Sequence, residues 1–184
     1  MGSLAGLCTH VSQQFEQIML PHMDAAYNLA RWLLRNEHDA RDSVQEAYLR
    51  AFRAFTQFRG SDGRAWLLTI VRNVCYSKLR SAKHVAEAEP FDENAHGIVN
   101  EPAETAERLR REVSSELLAA TLVELPEAMR EIIVLHDLEG MAYKDISTVV
   151  GIPLGTVMSR RARARLRLQK ELLQRLSKDS SHGL

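Results

Sequence analysis

The sequence predicts an all-α protein: two small helical domains joined by an acidic linker, with a helix-turn-helix in the second domain. Three observations point there. Helix formers such as Ala, Leu, Arg and Glu dominate, while glycine and proline number only nine and five in 184 residues, too few to punctuate a protein of strands and turns. Apolar residues recur three and four apart, the spacing of a helix face. The charge, zero in total, is segregated along the chain. Residues 64–83 hold five basic side chains and no acid; residues 84–107 hold seven acids and no Lys or Arg; residues 155–178 hold eight basic side chains against one acid, Glu171.

The charge pattern and the apolar periods draw the domains at residues 11–83 and 112–178, with the linker at 84–111. In the first domain, helices are expected over 13–36, 40–55 and 64–83. The middle helix places Val44, Ala47, Tyr48, Ala51, Phe52 and Phe55 on one stripe, with Asp39 as its N-cap. The run Phe58-Arg59-Gly60-Ser61-Asp62-Gly63 breaks the pattern. The third helix aligns Trp66, Ile70 and Val74, with Leu67 and Val71 beside them. The linker contains Pro90, Gly97 and Pro102 and shows no helical period, which is the composition of a tether.

In the second domain a helix is expected over 112–125. Pro126 opens the next one, since proline is tolerated at the first helical position. Met129, Ile132, Ile133 and His136 fall on its inner face, and Gly140 ends it. A helix over 143–150 follows, then a turn at Gly151-Ile152, where a positive φ is cheap only for glycine. Pro153 starts a last helix running to about residue 176. Ile146, Val150 and Val157 are the apolar residues available to pack this final pair.

The last helix concentrates the chemistry. Arg160, Arg161, Arg163, Arg165 and Arg167 fall within eight residues. Thr156, Ser159, Arg160 and Arg163 are expected on its outer face, with Ser159 and Arg163 one turn apart. Such a helix can enter a major groove. Arginine can read guanine through two hydrogen bonds while other basic residues hold phosphates. A solvated basic helix in an ordinary bundle has a similar composition. The glycine turn, the proline start and the charge excess together favour DNA.

Other functions find less support. No apolar run approaches the ~20 residues that span a bilayer, and the N-terminus lacks the basic-then-apolar pattern of a secretory signal. Two distant cysteines, Cys8 and Cys75, suit a reducing cytoplasm better than a disulfide scaffold. Cys8, His10 and His22 match no zinc spacing, so no metal or cofactor is expected. His136 and Asp137 could serve acid–base chemistry, but no nucleophile, phosphate loop or metal set accompanies them. No enzyme activity is expected.

The segment "YKDISTVVGIPLGTVMSRRARARLRL" resembles region 4 of extracytoplasmic-function sigma factors, the small initiation factors of bacterial RNA polymerase. "DARDSVQEAYLRAFRAFTQFRG" is similar to their region 2.2, and "RAWLLTIVRNVCYSKLRSAK" to regions 2.3 and 2.4. The order of segments and the acidic linker agree as well. The resemblance implies that Asp42, Gln45, Glu46 and Arg50 dock on the β′ clamp of the core polymerase. It implies that Asn73 lies at a pocket for a flipped −10 base, with Arg72, Lys78 and Arg80 on the strand's phosphates. Thr156, Met158, Ser159, Arg160 and Arg163 would face the −35 element, and region 4 would also meet the β flap. A regulating anti-sigma factor is implied too, as is a cytoplasmic protein without stable membrane association.

Two positions depart from the family pattern. Met158 stands where a Lys or Arg is frequent; it cannot make a polar contact, though it can touch a thymine methyl. Arg161 stands where the family is usually apolar, four residues after Val157 on the expected inner face. Its charge must then reach the surface along its apolar stem, or the helix must rotate locally. The alternative reading is a helix-turn-helix regulator working without polymerase. That reading accounts for residues 151–169 but leaves the two segments of the first domain unexplained.

Overall fold

The computed structural model describes the backbone of residues 3–60, 62–83 and 113–181; the linker expected over 84–111 lies outside them. Among the described residues every regular element is a helix or a helical turn. Contacts divide the chain into two compact units, the first holding residues 1–89 together with 144–151, the second 90–143 and 152–184.

The first unit contains α1 (Ser3–Met19), α2 (Met23–Leu34), α3 (Glu37–Ala54) and α4 (Gly63–Lys83). The single helix expected over 13–36 is two helices, separated by a tight 3-10 turn at Leu20–His22. Pro21 explains the break: it lacks an N–H, and its ring crowds the preceding turn. The cap of α3 also differs from expectation. Asn36, not Asp39, is the N-cap: its backbone is extended (φ −137°, ψ 126°) and its side chain accepts a bond from the Asp39 N–H at 3.0 Å. Asp39 instead lies in the first turn, where its charge suits the helix dipole. Asp62 caps α4 in the same way, accepting from the Ala65 N–H at 3.1 Å.

Helices α2, α3 and α4 pack on one another, and α1 lies against α4. Leu29, Ala47, Leu67, Leu68 and Val71 are fully buried at the centre. Of the stripe expected on α3, Val44, Ala47, Ala51 and Phe55 are buried and Tyr48 is half-buried, but Phe52 is 45% exposed. On α4 the buried face centres on Leu67, Leu68, Val71 and Cys75, while Trp66 and Ile70 sit at its edge. The reason is that α4 packs on α2 and α3 at once, so its buried face is wider than one stripe. Gly63 is required where α4 begins: an added Cβ would come within 2.6 Å of the Ile18 Cγ2.

The second unit contains α5 (Ser115–Glu124), α6 (Glu127–Ile133) and a π-helical turn (Val134–Leu138). Ser114 caps α5, accepting from the Leu117 N–H at 3.1 Å. Pro126 precedes α6 and its carbonyl accepts from the N–H groups of Met129 and Arg130, both at 2.9 Å. The chain does not continue as an α-helix to Gly140, as the sequence suggests, but widens into the π turn before Gly140 (φ 66°) ends it.

The last two helices are α7 (Tyr143–Val150) and α8 (Leu154–Ser181). Gly151, at φ 73°, makes the turn between them, and its N–H bonds the Ser147 carbonyl at 2.9 Å. The Pro153 carbonyl accepts from Thr156 and Val157, at 2.9 and 3.1 Å, and so starts α8. Helix α8 outruns its expected end near residue 176. It packs on α6 and α5, burying Val157, Ala164 and Leu172, seven and eight residues apart on one face. Ile146 and Val150 of α7 are also buried.

Candidate nucleic-acid interface

The buried stripe of α8 fixes which side chains remain outside. Met158 is 50% exposed and Ser159 is exposed, with Thr156, Arg160 and Arg163 half-buried beside them. The Ser159 hydroxyl donates to the Thr156 carbonyl at 3.1 Å, and the Arg163 Nε reaches back to the Ser159 carbonyl at 3.4 Å. Arg163 therefore lies along the helix toward its N-terminal turn, the end that meets base edges in helix-turn-helix docking. Gly155, in that first turn, is exposed, and an added Cβ would touch nothing within 4 Å.

Arg161 is neither carried outward along its stem nor displaced by rotation. Its guanidinium grips Asp137 of the π turn with two bonds, Nη2–Oδ1 at 2.6 Å and Nε–Oδ2 at 3.1 Å, and Nη1 donates to the Tyr143 hydroxyl at 3.0 Å. These bonds hold the Arg161 pKa above its usual value, the hydrogen bond with Asp137 contributing most. Neither partner was legible as such, because Asp137 is 24 residues from Arg161 and reaches it only through the π turn. Arg175 pairs with Glu124 of α5, and Arg167 with Glu171 at 3.7 Å. Part of the helix's positive charge thus has carboxylate partners within the chain.

On α4, the spacing of Arg72, Asn73, Tyr76 and Arg80 puts them on one face. Asn73 and Arg80 are exposed, and the Arg72 guanidinium stacks over the Tyr76 ring at 4.4 Å, a cation–π contact. Lys78 points elsewhere: its Nζ lies 2.6 Å from Asp39 and 4.0 Å from Asp42 of α3. Such half-exposed pairs contribute only ~0.2–1 kcal/mol, so Lys78 is held loosely.

On α3, Asp42, Gln45 and Arg50 are exposed and Glu46 is half-buried. Glu46 pairs with Arg50 at 2.7 Å, and Asp42 with His38 at 3.2 Å. Gln45 borders an apolar groove of about 720 Å³ lined also by Phe15, Tyr48, Leu49 and Phe52. Leu49, 48% exposed, did not stand out in the sequence because it lies off the apolar stripe. Phe15 anchors the groove floor, meeting Tyr48, Phe52 and Phe55 edge-on at 5.2–6.2 Å. The Tyr48 hydroxyl donates to the Met19 carbonyl at 2.9 Å, and burial pushes its pKa up to about 12.

His38, Asp39 and Asp42 bring metal-type side-chain atoms within 4.8 Å of one another. The group is largely exposed, and Lys78 pairs with its Asp39 carboxylate at 2.6 Å. No described helix is long and apolar enough to cross a membrane.

The chain thus carries a helix-turn-helix ending in a basic helix, a second basic face on α4 and an apolar groove bordered by α3. Residues 18–85 match the family Sigma-70 region 2, and residues 115–168 match Sigma-70, region 4. The sigma-H factor of Pseudomonas aeruginosa is 31% identical over 166 residues, covering 86% of each chain. The extracytoplasmic-function sigma factor SigE of Mycolicibacterium smegmatis is 33% identical over 167 residues; the alignment covers 89% of this chain and 63% of that relative. Among solved structures, the sigma factor RpoE in complex with the anti-sigma factor NepR, from Bartonella quintana, aligns with TM-score 0.68 and 28% identity, covering 87% of this chain and 97% of that one. The chain belongs to the extracytoplasmic-function sigma factors, which direct bacterial RNA polymerase to promoters.

Proposed function

We propose that this chain is an alternative sigma factor of the cytoplasm whose surfaces are divided between its two sigma regions. Residues 11–83 dock on the β′ clamp and open the −10 element. Residues 112–178 bind the −35 element and the β flap. Residues 84–111 tether the two, which their composition supports. Asp42, Gln45, Glu46 and Arg50 form the clamp-facing surface, joined by Leu49 and Phe52. Asn73 takes the flipped base: its amide offers two donors and an acceptor to a base edge. Arg72 and Arg80 flank it for phosphate, and Lys78 can join at small cost. Arg163 reads bases at −35, with Thr156, Met158, Ser159 and Arg160 around it. An anti-sigma factor controls the protein, as one binds the similar RpoE. The factor performs no chemistry of its own.

The observation that carries this reading is an apolar groove and an exposed α3 face in the same chain as a basic recognition helix. A helix-turn-helix regulator has no need of the former. The test is competition for core polymerase. Glu46→Lys with Gln45→Ala sets a positive charge against a partner expected to be basic. Core binding should weaken while the helical circular dichroism signal and melting stay near wild type. Unchanged competition would leave that face an ordinary solvated surface.

A further inference from the structure

Arg161 interrupts the inner face of the recognition helix. It lies one turn after Val157 and one turn before Ala164, both fully buried. A face built from valine and alanine offers shallow relief, and shallow relief restrains rotation about the helix axis weakly. Arg161 supplies what those residues lack. Its planar fork meets the Asp137 carboxylate with two bonds and the Tyr143 hydroxyl with a third. A bidentate pair fixes an angle as well as a distance. The pair is also shielded, with side-chain exposures of 19% for Arg161 and 29% for Asp137.

The platform that receives Arg161 is itself braced. The Tyr143 ring stacks on His136, centroids 4.4 Å apart at 21°. The His136 Nδ1 lies 2.8 Å from the Met141 carbonyl. The loop is closed by Met141 N–H to the Leu135 carbonyl at 2.9 Å and Gly140 N–H to the His136 carbonyl at 3.1 Å. The π turn inserts one residue into the helical register, which re-aims Asp137 relative to a continued α-helix.

We propose that Arg161, Asp137 and Tyr143 form an alignment lock that sets the roll of the recognition helix, and that Arg161 is a positioning residue and not a DNA contact. The inference rests on the reading of α8 as the −35 helix. Its consequence is geometric. Side-chain tips stand ~5–6 Å from a helix axis, so a roll of about 20° moves them by about 2 Å. That exceeds the tolerance of a hydrogen bond to a base edge. A basic residue of the recognition helix that is shielded from solvent thereby governs specificity without touching the nucleic acid.

The experiment measures binding of the full chain with core polymerase to cognate and scrambled −35 duplexes across a salt series. Arg161→Lys keeps the charge but loses the fork, and Asp137→Asn removes the acceptor charge. Both should weaken cognate binding roughly tenfold, about the value of one base contact, and leave scrambled binding within about twofold. The salt slope should not change, because Arg161 neutralises no phosphate. The exchange Arg161→Asp with Asp137→Arg should recover discrimination in part; if it misfolds, Tyr143→Phe, which removes only the third bond, should show a smaller loss of the same kind. A drop of about one unit in salt slope for Arg161→Lys, with both duplexes weakened alike, would make Arg161 a phosphate clamp and overturn the proposal. Lower melting with unchanged discrimination would reduce the lock to a stabilising contact and overturn it as well. A wild-type chain that ignores the −35 sequence would remove the reading beneath the proposal, an outcome visible before any variant is compared.

Discussion

Replacing Leu49 and Phe52 with alanine tests the α3 groove as the polymerase-docking surface. These side chains are 48% and 45% exposed and line one apolar groove, the kind of contiguous patch that marks an interaction site. An aromatic side chain carries ~200 Å² and a leucine somewhat less. Covering the exposed halves of both removes roughly 170 Å² from water, about 4 kcal/mol at ~25 cal/mol per Å². Ordering of the interface takes back part of that. The double variant should therefore lose about 2–3 kcal/mol of core affinity, roughly 30- to 150-fold. The fold also loses the buried halves of both side chains and the edge-on contact of Phe52 with Phe15 at 5.2 Å, so affinity is compared at a temperature well below the melting of the variant. The assay is displacement of labelled wild-type chain from core polymerase, followed by fluorescence anisotropy, with thermal melting alongside. A variant that competes as well as wild type and melts normally would refute the argument that the exposed apolar face is held for the clamp.

Three other substitutions separate the roles further. Asn73→Ala should leave core affinity nearly intact and reduce open-complex formation by about 1–3 kcal/mol, read by permanganate reactivity of the −10 region; an equal loss of core binding would return Asn73 to the fold. Gly155→Ala should raise the stability of the free chain by on the order of 0.5 kcal/mol, since helical alanine is favoured over glycine and the added Cβ meets nothing. The same change should weaken −35 binding if the DNA backbone approaches that turn, and equal or tighter binding would contradict it. Tyr48 has a folded pKa of about 12 against an ordinary value of 10.0. Its neutral hydroxyl therefore supports the fold below pH 10, and that support is lost as pH rises from 10 towards 12. Melting should fall more steeply across that window for wild type than for Tyr48→Phe, and identical slopes would show that burial does not hold the hydroxyl neutral.

Elements governed by local rules were legible in the sequence. The glycine turn at Gly151, the start of α8 after Pro153 and the bounds of α7 follow from φ preferences and periodicity, and they lie where those rules put them. The structure departs from expectation where two local signals compete. At Pro21 a missing N–H and a steric clash outweigh helical periodicity and divide the helix expected over 13–36. Asp39 and Asn36 can both cap a helix; the extended backbone at Asn36 decides between them and is not written in composition. The exposure of Phe52 depends on how far the α2–α4 packing extends, which no single helix encodes. The partnership of Arg161 with Asp137 and Tyr143 depends on a π turn between distant residues, so the charge stood out as an anomaly while its answer did not.

As a sigma factor, this chain should confer promoter choice on core polymerase. Purified core enzyme, with and without the chain, would be used to transcribe genomic DNA, and the start sites would be mapped. Discrete new starts that share −35 and −10 elements should appear only with both components present, and should vanish with Asn73→Ala together with Glu46→Lys. Sequence-specific DNA binding by the chain alone, with no new starts in the presence of core enzyme, would contradict it and establish a polymerase-independent regulator.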